Sequence, residues 1–371
     1  MLSFPARTHA RAAQSTGIWL DFLLKEWLLL GSALGLGASS VYLRRFPTYS
    51  AAEWEVLFLL WTLFVAVRSL EANGIILRLS QSFERGRLIP LKLVAATFVL
   101  SMVVTNDVAL IVVVPLTLSL NTDRKDTLVI LEAFAANAGS ALTPVGNPQN
   151  LYIYWFYGLG ARDFVTAIAP FSLCFLAVLL VAALLVRPAN AAGAAVQPPV
   201  IRPAAYAGGP LLAIAVLTIL RLLPLASATL VSIYASLFDR KALRVDYGLL
   251  GAFFCFFGLS ENLRSILGTE LEHAGHTFLL SALASQVMSN VPAALLFAKF
   301  TSHWKALLWG VNVGGFGSLV ASFANLISYK LYINHERRAN MASFTLRFVG
   351  FGFAMLLAGM GLYWAVAAGP Q

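Results

Sequence analysis

The side chains in this chain that could do chemistry are amides and hydroxyls, and they recur at one spacing. Residues 137–154 read NAGSALTPVGNPQNLYIY, and residues 312–329 read NVGGFGSLVASFANLISY. A constant offset of 175 pairs Asn137 with Asn312, Gly139 with Gly314, Thr143 with Ser318, Val145 with Val320, Asn147 with Ser322, Asn150 with Asn325, Leu151 with Leu326 and Tyr154 with Tyr329; six of the eight pairs are identical. A second pair of stretches has the same character. Thr105-Asn106-Asp107 interrupts LSMVVTNDVALIVVVPL, and Ser289-Asn290 with Pro292 interrupts SQVMSNVPAALLF. All four places can cap a new helix: Thr105 or Asn106 before Asp107, Asn290 before Val291-Pro292, Asn147 before Pro148, and Ser322 before Phe323. Four helix N-termini converging in an apolar medium give positive partial charge suited to an anion, while carbonyl ends and amide side chains hold a cation. The chemistry is therefore ion binding. Catalysis would need a nucleophile with a base, yet Ser289, Ser318 and Ser322 have no buried His or Lys to set beside them, and Asp107 has no second acid. A membrane-embedded hydrolase or transferase is the remote alternative, and the chain is read as not an enzyme.

These residues need long apolar elements to hold them. Of 371 residues, 59% are hydrophobic and 12% charged, and the mean hydropathy is +0.78. A soluble core cannot hide that much apolar surface, so the chain is expected to be an all-α polytopic membrane protein in a lipid bilayer. The +9 charge lies mostly in short loops, as the positive-inside rule requires, and nucleic acid is excluded as a partner. Cys174 and Cys255 sit in apolar runs, and the five histidines fall at loops or span ends, so no metal site is expected. The basic N-terminus leads into a run interrupted by Asp21, Lys25 and Glu26, which reads as an uncleaved first membrane segment.

Spans are expected at 26–42, 54–70, a hairpin at 88–120, an interrupted helix at 126–158, and 164–186. After a linker rich in Ala and Pro they continue at 208–222, 225–238, 247–262, a hairpin at 276–299, an interrupted helix at 303–333, and 343–366. The linker, 188–207, divides the chain into repeats 1–187 and 208–371. Matched Gly/Pro-interrupted segments in two halves point to a secondary transporter's midplane site. If both hairpins return to the side they entered from, 19 of the 26 Lys and Arg lie on the cytoplasmic side; Arg44, Arg45, Arg162, Arg221, Arg264, Lys299 and Lys305 are left outside. That reading gives the repeats inverted topology, an N-terminus in the cytoplasm and a C-terminus outside. Span 208–222 lacks a counterpart in the first half unless residues 17–24 are its remnant.

At TNDVALIVVVPLTL, EAFAANAGSALTPVGNPQNL, SNVPAAL and VNVGGFGSLVASFANLI the chain resembles the ion transporter superfamily. That group includes arsenite-efflux permeases, sodium-proton antiporters and divalent anion:sodium symporters. The chain is most similar to bacterial inner-membrane members with a citrate-transporter-like domain, and the resemblance covers nearly the whole sequence. It implies an elevator-type homodimer in which hairpins and interrupted helices move against a static scaffold. It also implies that Thr105, Asn106, Asn147, Ser289, Asn290 and Ser322 bind substrate, with Asp107, Asn106, Thr143, Asn150, Asn290, Ser318 and Asn325 around the coupling cation. Dicarboxylate symporters carry Ser-Asn-Thr at both tips; here the first tip has gained an acid and the second lacks the threonine.

The function expected is secondary active transport of a small anion or oxyanion, carboxylate-like or inorganic, coupled to a Na+ or H+ gradient and needing no cofactor. The alternative is sodium-proton antiport using Asp107. Asp107 is read as functional because an acid at mid-membrane depth costs about 2.5–3.5 kcal/mol on insertion scales. For Glu132 two readings stay open, a functional acid or an interfacial partner of Arg124 or Lys125. Glu71 and Glu261 are expected to be interfacial anchors.

Overall fold

Proline, glycine and asparagine punctuate the apolar chain, and its helices start and stop where they stand. The computed structural model describes residues 26–72, 88–120, 124–186, 205–267, 273–336 and 340–367, and among them every regular element is helical. In order these are α1 (Trp27–Leu43), α2 (Ala51–Ala72), α3 (Ile89–Val104), α4 (Asn106–Ser119), α5 (Lys125–Ala141), α6 (Pro148–Phe156), α7 (Ala161–Leu184) and α8 (Ala205–Ile219). There follow α9 (Thr229–Phe238), α10 (Tyr247–Leu267), α11 (Ala274–Met288), α12 (Asn290–Phe297), α13 (Trp304–Gly314), α14 (Phe323–His335) and α15 (Met341–Ala367). Both interrupted helices are broken where expected, between α5 and α6 and between α13 and α14. Both hairpin stretches are two helices meeting at a single residue.

Three expectations change. The stretch read as a linker to residue 207 already turns helical at Ala205, because its Ala-rich end favours helix and Pro210 is tolerated within it. Residues 187–204, the N-terminal reading and the 17–24 remnant lie outside the described residues. Lys299, counted among the outside loop charges, is only 8% exposed. Glu132 does not pair with Lys125 at an interface; it is fully buried against Thr117, and Lys125 pairs with Glu336 at 3.0 Å.

The described residues cluster into two compact units. In one, α1 packs along α10, where Asn262 Nδ2 donates to the Ser39 and Ser40 hydroxyls at 3.0 Å each and Tyr49 stacks on Phe254. The other unit holds α2–α9 and α11–α15, and all residues of interest for ion binding are in it. Its helices α7 and α15 are each long and apolar enough to cross a membrane. They turn Leu173, Val178, Val181 and Leu184, and Leu346, Phe351, Leu357 and Trp364, outward. Apolar surface of that extent is what acyl chains cover.

Helix α5 is the centre of this larger unit, buried on every side from Leu128 to Ala141. A helix can be buried all round only if its neighbours come close, and the run of Ala, Gly and Ser from Ala135 to Ala141 permits it. A Cβ placed on Gly139 would collide with the backbone carbonyl of Phe98 on α3. A Cβ on Gly314 would meet the Ser285 side chain on α11 at 2.7 Å and the Ala282 backbone at 3.0 Å, a milder approach than the 2.2 Å at Gly139. Gly139→Ala is therefore expected to destabilise the protein by about 1–3 kcal/mol, and Gly314→Ala by less. Melting temperatures of the two variants in one detergent check the order; equal values would contradict it.

The second break is held from outside by aromatic packing. Phe316, fully buried, lies 5.6 Å from Phe134, 5.6 Å from Phe171 and 4.9 Å from Phe175, centroid to centroid. Gly317 follows it at φ +93, a backbone conformation that needs glycine. At the start of α2, Ser50 and Glu53 form a capping box, with Ser50 N–H donating to Glu53 Oε2 at 2.7 Å and Glu53 N–H to Ser50 Oγ at 3.4 Å. The other oxygen, Oε1, is 2.7 Å from Lys299 Nζ, so the capping acid also closes a buried ion pair with the segment after α12.

Candidate ion-binding site

A broken helix exposes carbonyls at the end it leaves and N–H groups at the end it starts, and both must be satisfied away from water. At the first break Asn147 Oδ1 accepts from Asn150 N–H at 3.2 Å, capping α6, while Asn150 Nδ2 donates back to the Ser140 and Ala141 carbonyls at 3.2 and 3.1 Å. Asn147 Nδ2 donates to Ser140 Oγ at 3.0 Å. The second break repeats the arrangement. Ser322 Oγ accepts from Ala324 N–H, and Asn325 Nδ2 donates to the Gly315 and Ser318 carbonyls at 3.0 and 3.1 Å. Gly315 and Ser318 are the positions that correspond to Ser140 and Thr143, and the Thr143 carbonyl also accepts from Asn150, at 3.4 Å.

The two breaks are bonded to each other through a reciprocal pair. Asn137 Nδ2 donates to Asn325 Oδ1 at 2.9 Å, and Asn312 Nδ2 donates to Asn150 Oδ1 at 2.9 Å. Because Asn137 corresponds to Asn312 and Asn150 to Asn325, the second bond is the first with the partners exchanged. Asn137 collects further bonds: Oδ1 accepts from Ser322 Oγ at 2.9 Å and from Asn106 Nδ2 at 3.4 Å, and Nδ2 also reaches the Gly315 carbonyl at 3.4 Å.

The hairpin tips seat beside these breaks. Thr105 has φ 78, ψ 151 and Ser289 has φ 74, ψ 154, a region costing a residue with a side chain about 1–3 kcal/mol and found mainly where function holds it. Neither makes a side-chain capping bond, so of the two caps expected at the first tip, Thr105 or Asn106, Thr105 is not the one. Asn106 is already the first residue of α4; its N–H donates to the Gly146 carbonyl at 3.1 Å, and its side-chain Oδ1 accepts from Asp107 N–H at 3.0 Å. Asn290 likewise opens α12, and its Nδ2 stands beside Gly315, where an added Cβ would come within 3.0 Å of it.

Thr143 and Ser318 fasten the hairpins to the breaks. Thr143 Oγ1 donates to the Met102 carbonyl at 2.6 Å, and Ser318 Oγ donates to the Gln286 carbonyl at 2.9 Å, each three residues before a tip. Asn106, Asn147, Asn150, Ser322 and Asn325 thus share one buried hydrogen-bonded network, with Asn290 against its edge and Asp107 in the first turn of α4. Three residues in it were not singled out by residue type: Asn137, Asn312 and Gln286, whose side chain bonds Ser318 N–H and the Gly314 carbonyl at 2.9 and 2.8 Å. The constant offset that pairs Asn137 with Asn312 was the available signal.

Broken helices meeting at buried amides, in a helical protein with apolar outer faces, define an integral membrane protein with a polar centre. Comparison with known proteins agrees: residues 75–314 match the family model described as Citrate transporter. The chain is 31% identical over 297 residues to the uncharacterized transporter MJ0456 of Methanocaldococcus jannaschii, covering 76% of this chain and 82% of that protein. It is 32% identical over 338 residues to the inner membrane protein YbiR of Escherichia coli, covering 86% and 87%. An uncharacterized transporter of Mycobacterium tuberculosis, Rv2685, is 28% identical over 152 residues, 38% of this chain and 34% of its own. The protein belongs to the citrate transporter family and is a membrane transporter within the ion transporter superfamily.

Proposed function

We propose that the protein is a secondary active transporter of a small carboxylate-like or inorganic anion, driven by a Na+ or H+ gradient. The observation that carries this reading is the reciprocal bonding of the two breaks. It sets the N-termini of α6 and α14 against one network, with the tips opening α4 and α12 beside it. N–H groups at such termini favour an anion, and the carbonyls gathered around Asn150 and Asn325, each with a second lone pair, favour a cation. The substrate ligands are Thr105, Asn106, Asn147, Ser289, Asn290 and Ser322. Asp107, Thr143, Asn150, Ser318 and Asn325 surround the cation.

The repeats 1–187 and 208–371 have inverted topology in this reading, with re-entrant hairpins α3–α4 and α11–α12. Supporting it, α1 packs on α10 and α2 packs on α8. With α1 answering to α8 and α2 to α10, these are one contact made twice, and α9, rather than span 208–222, is the element without a counterpart. The hairpins and broken helices move as an elevator within a homodimer. The protein sits in a bacterial inner membrane, where YbiR is named as residing, with its N-terminus in the cytoplasm and its C-terminus outside.

The test is uptake of labelled citrate and of a panel of small inorganic anions into proteoliposomes, under an imposed sodium or proton gradient. No gradient-driven uptake of any anion would overturn the reading. Sodium-proton antiport is the second reading, favoured by the acid in the first turn of α4. An aspartate beside an anion site repels the substrate unless a proton or cation cancels its charge, which links the two occupancies. Asp107→Asn is accordingly expected to fold and to bind substrate while losing the dependence of uptake on the driving cation. Uptake by this variant with wild-type pH and sodium dependence would leave Asp107 a dipole-favoured helix acid.

A further inference from the structure

Glu132 is a buried acid apart from the residues assigned to the site above and, unlike Glu53, has no ion-pair partner among the described residues. It lies on α5 with no exposed surface. Its Oε1 is hydrogen-bonded to Thr117 Oγ1 of α4, its only polar partner among the described residues, and its Oε2 is buried with none. An ionised carboxylate enclosed this way, with one hydrogen bond and no cation, is far costlier than a neutral carboxyl. With a proton on Oε1, Thr117 becomes the acceptor and its own hydrogen can turn to its helix backbone, as the Thr97 hydroxyl does toward the Leu93 carbonyl at 2.8 Å.

The fold does not require an acid at this position. The corresponding residue is Leu307, also fully buried, so the same slot is filled by hydrocarbon on α13. Position adds a second argument. The Thr117–Glu132 contact joins α4 to α5, the two helices that also meet at Asn106 and Asn137, and Glu132 is five residues from Asn137, about 7.5 Å along the axis.

The charged groups on the helices around α5 are engaged or stand at helix ends. On α5 itself Lys125 pairs with Glu336, and Asp126 with Arg347 of α15. Lys92, Asp107, Asp163 and Lys305 stand in the first turns of α3, α4, α7 and α13, as does Arg162 on α7, and Cys174, also on α7, is exposed. On α14, Tyr329 bonds Thr345, Tyr332 stacks on Phe344, and Lys330 and His335 lie toward the C-terminal end.

Resting on the transport reading, we propose that Glu132 is a proton-binding site of this transporter. It holds a proton in the state described here and couples that proton to the packing of α4 on α5, separately from the cation at Asp107.

The experiment is infrared difference spectroscopy of the full chain in lipid nanodiscs during a pH change, which needs no substrate. The expected result is a protonated-carboxyl C=O band from a dry environment that responds to pH, disappears in Glu132→Gln, shifts in Thr117→Val and persists in Asp107→Asn. Labelled citrate uptake by Glu132→Gln, with proteoliposomes, should lose most of its dependence on external pH. A spectrum unchanged by Glu132→Gln would overturn the proposal, as would a Glu132 band that ignores pH. If Glu132→Gln does not fold, the Thr117→Val shift alone decides. A wild type that transports no citrate yet shows the band would count against the substrate and leave the proton site standing.

Discussion

Replacing Lys299 with methionine is expected to lower stability by about 3–5 kcal/mol, because it strands the Glu53 carboxylate inside the protein. The pair is almost completely enclosed, with the two side chains 6% and 2% exposed at 2.7 Å separation. Glu53 cannot swing out to water, since Ser50 holds its other oxygen through both N–H and hydroxyl. The charge therefore stays where it is and loses its counter-ion. The double variant Glu53→Gln with Lys299→Met should recover most of the loss, since neither charge then remains, and a buried pair is often worth little more than a neutral replacement. Thermal unfolding of the four proteins in one detergent gives the cycle. Equal melting temperatures for Lys299→Met and the double variant would mean that the two charges are not coupled.

The second large effect is expected at Asn137. Alanine there removes the acceptor of Ser322 and Asn106 and the donor to Asn325, all three in a buried network. Each polar group left unmatched costs about 1–3 kcal/mol. Asn312→Ala removes one bond across the breaks, that to Asn150, along with a bond to its own helix carbonyl at Leu308. The Asn137 variant should thus be the less stable by a clear margin, and its gradient-driven uptake should vanish while Asn312→Ala keeps a part. Melting temperature and citrate uptake, measured on both, decide it. A network whose weight was shared evenly would give two indistinguishable variants.

Much of this fold could be read directly from the chain. Pro148 and the amide before it mark the start of α6, Ser322 marks α14, and polar residues amid apolar runs mark both tips, so local chemistry alone located the interruptions. Where local chemistry was ambiguous the reading slipped. Thr105 looks like a side-chain cap, but it sits at positive φ with no capping bond, and Asn106 beside it takes the first-turn N–H. Ala205 looks like linker because proline and glycine surround it, yet alanine carried the helix. Asn137 escaped notice as a site residue because an asparagine inside a helix has no local role, and its four partners come from three other segments. Lys299 reads as an outside loop charge, and only tertiary structure puts it against Glu53.

The exchanged pair of asparagine bonds has one more consequence. A contact in which residue i of one copy meets residue j of the other, and the reverse, is isologous, the form that a two-fold axis creates between identical subunits. The segment 137–154 therefore carries both sides of its own lock: the donor at Asn137 and the acceptor at Asn150 are complementary to a second copy of themselves. Two identical segments facing each other would close this reciprocal pair of bonds, and joining them in one polypeptide removes the need to keep the copies alike. The four asparagines of the reciprocal pair remain asparagine on both sides, whereas Ser322, which also reaches Asn137 across the copies, has Asn147 as its counterpart. Glu132, with Leu307 at the corresponding position, is what such freedom allows: a chemically distinct residue in one half only.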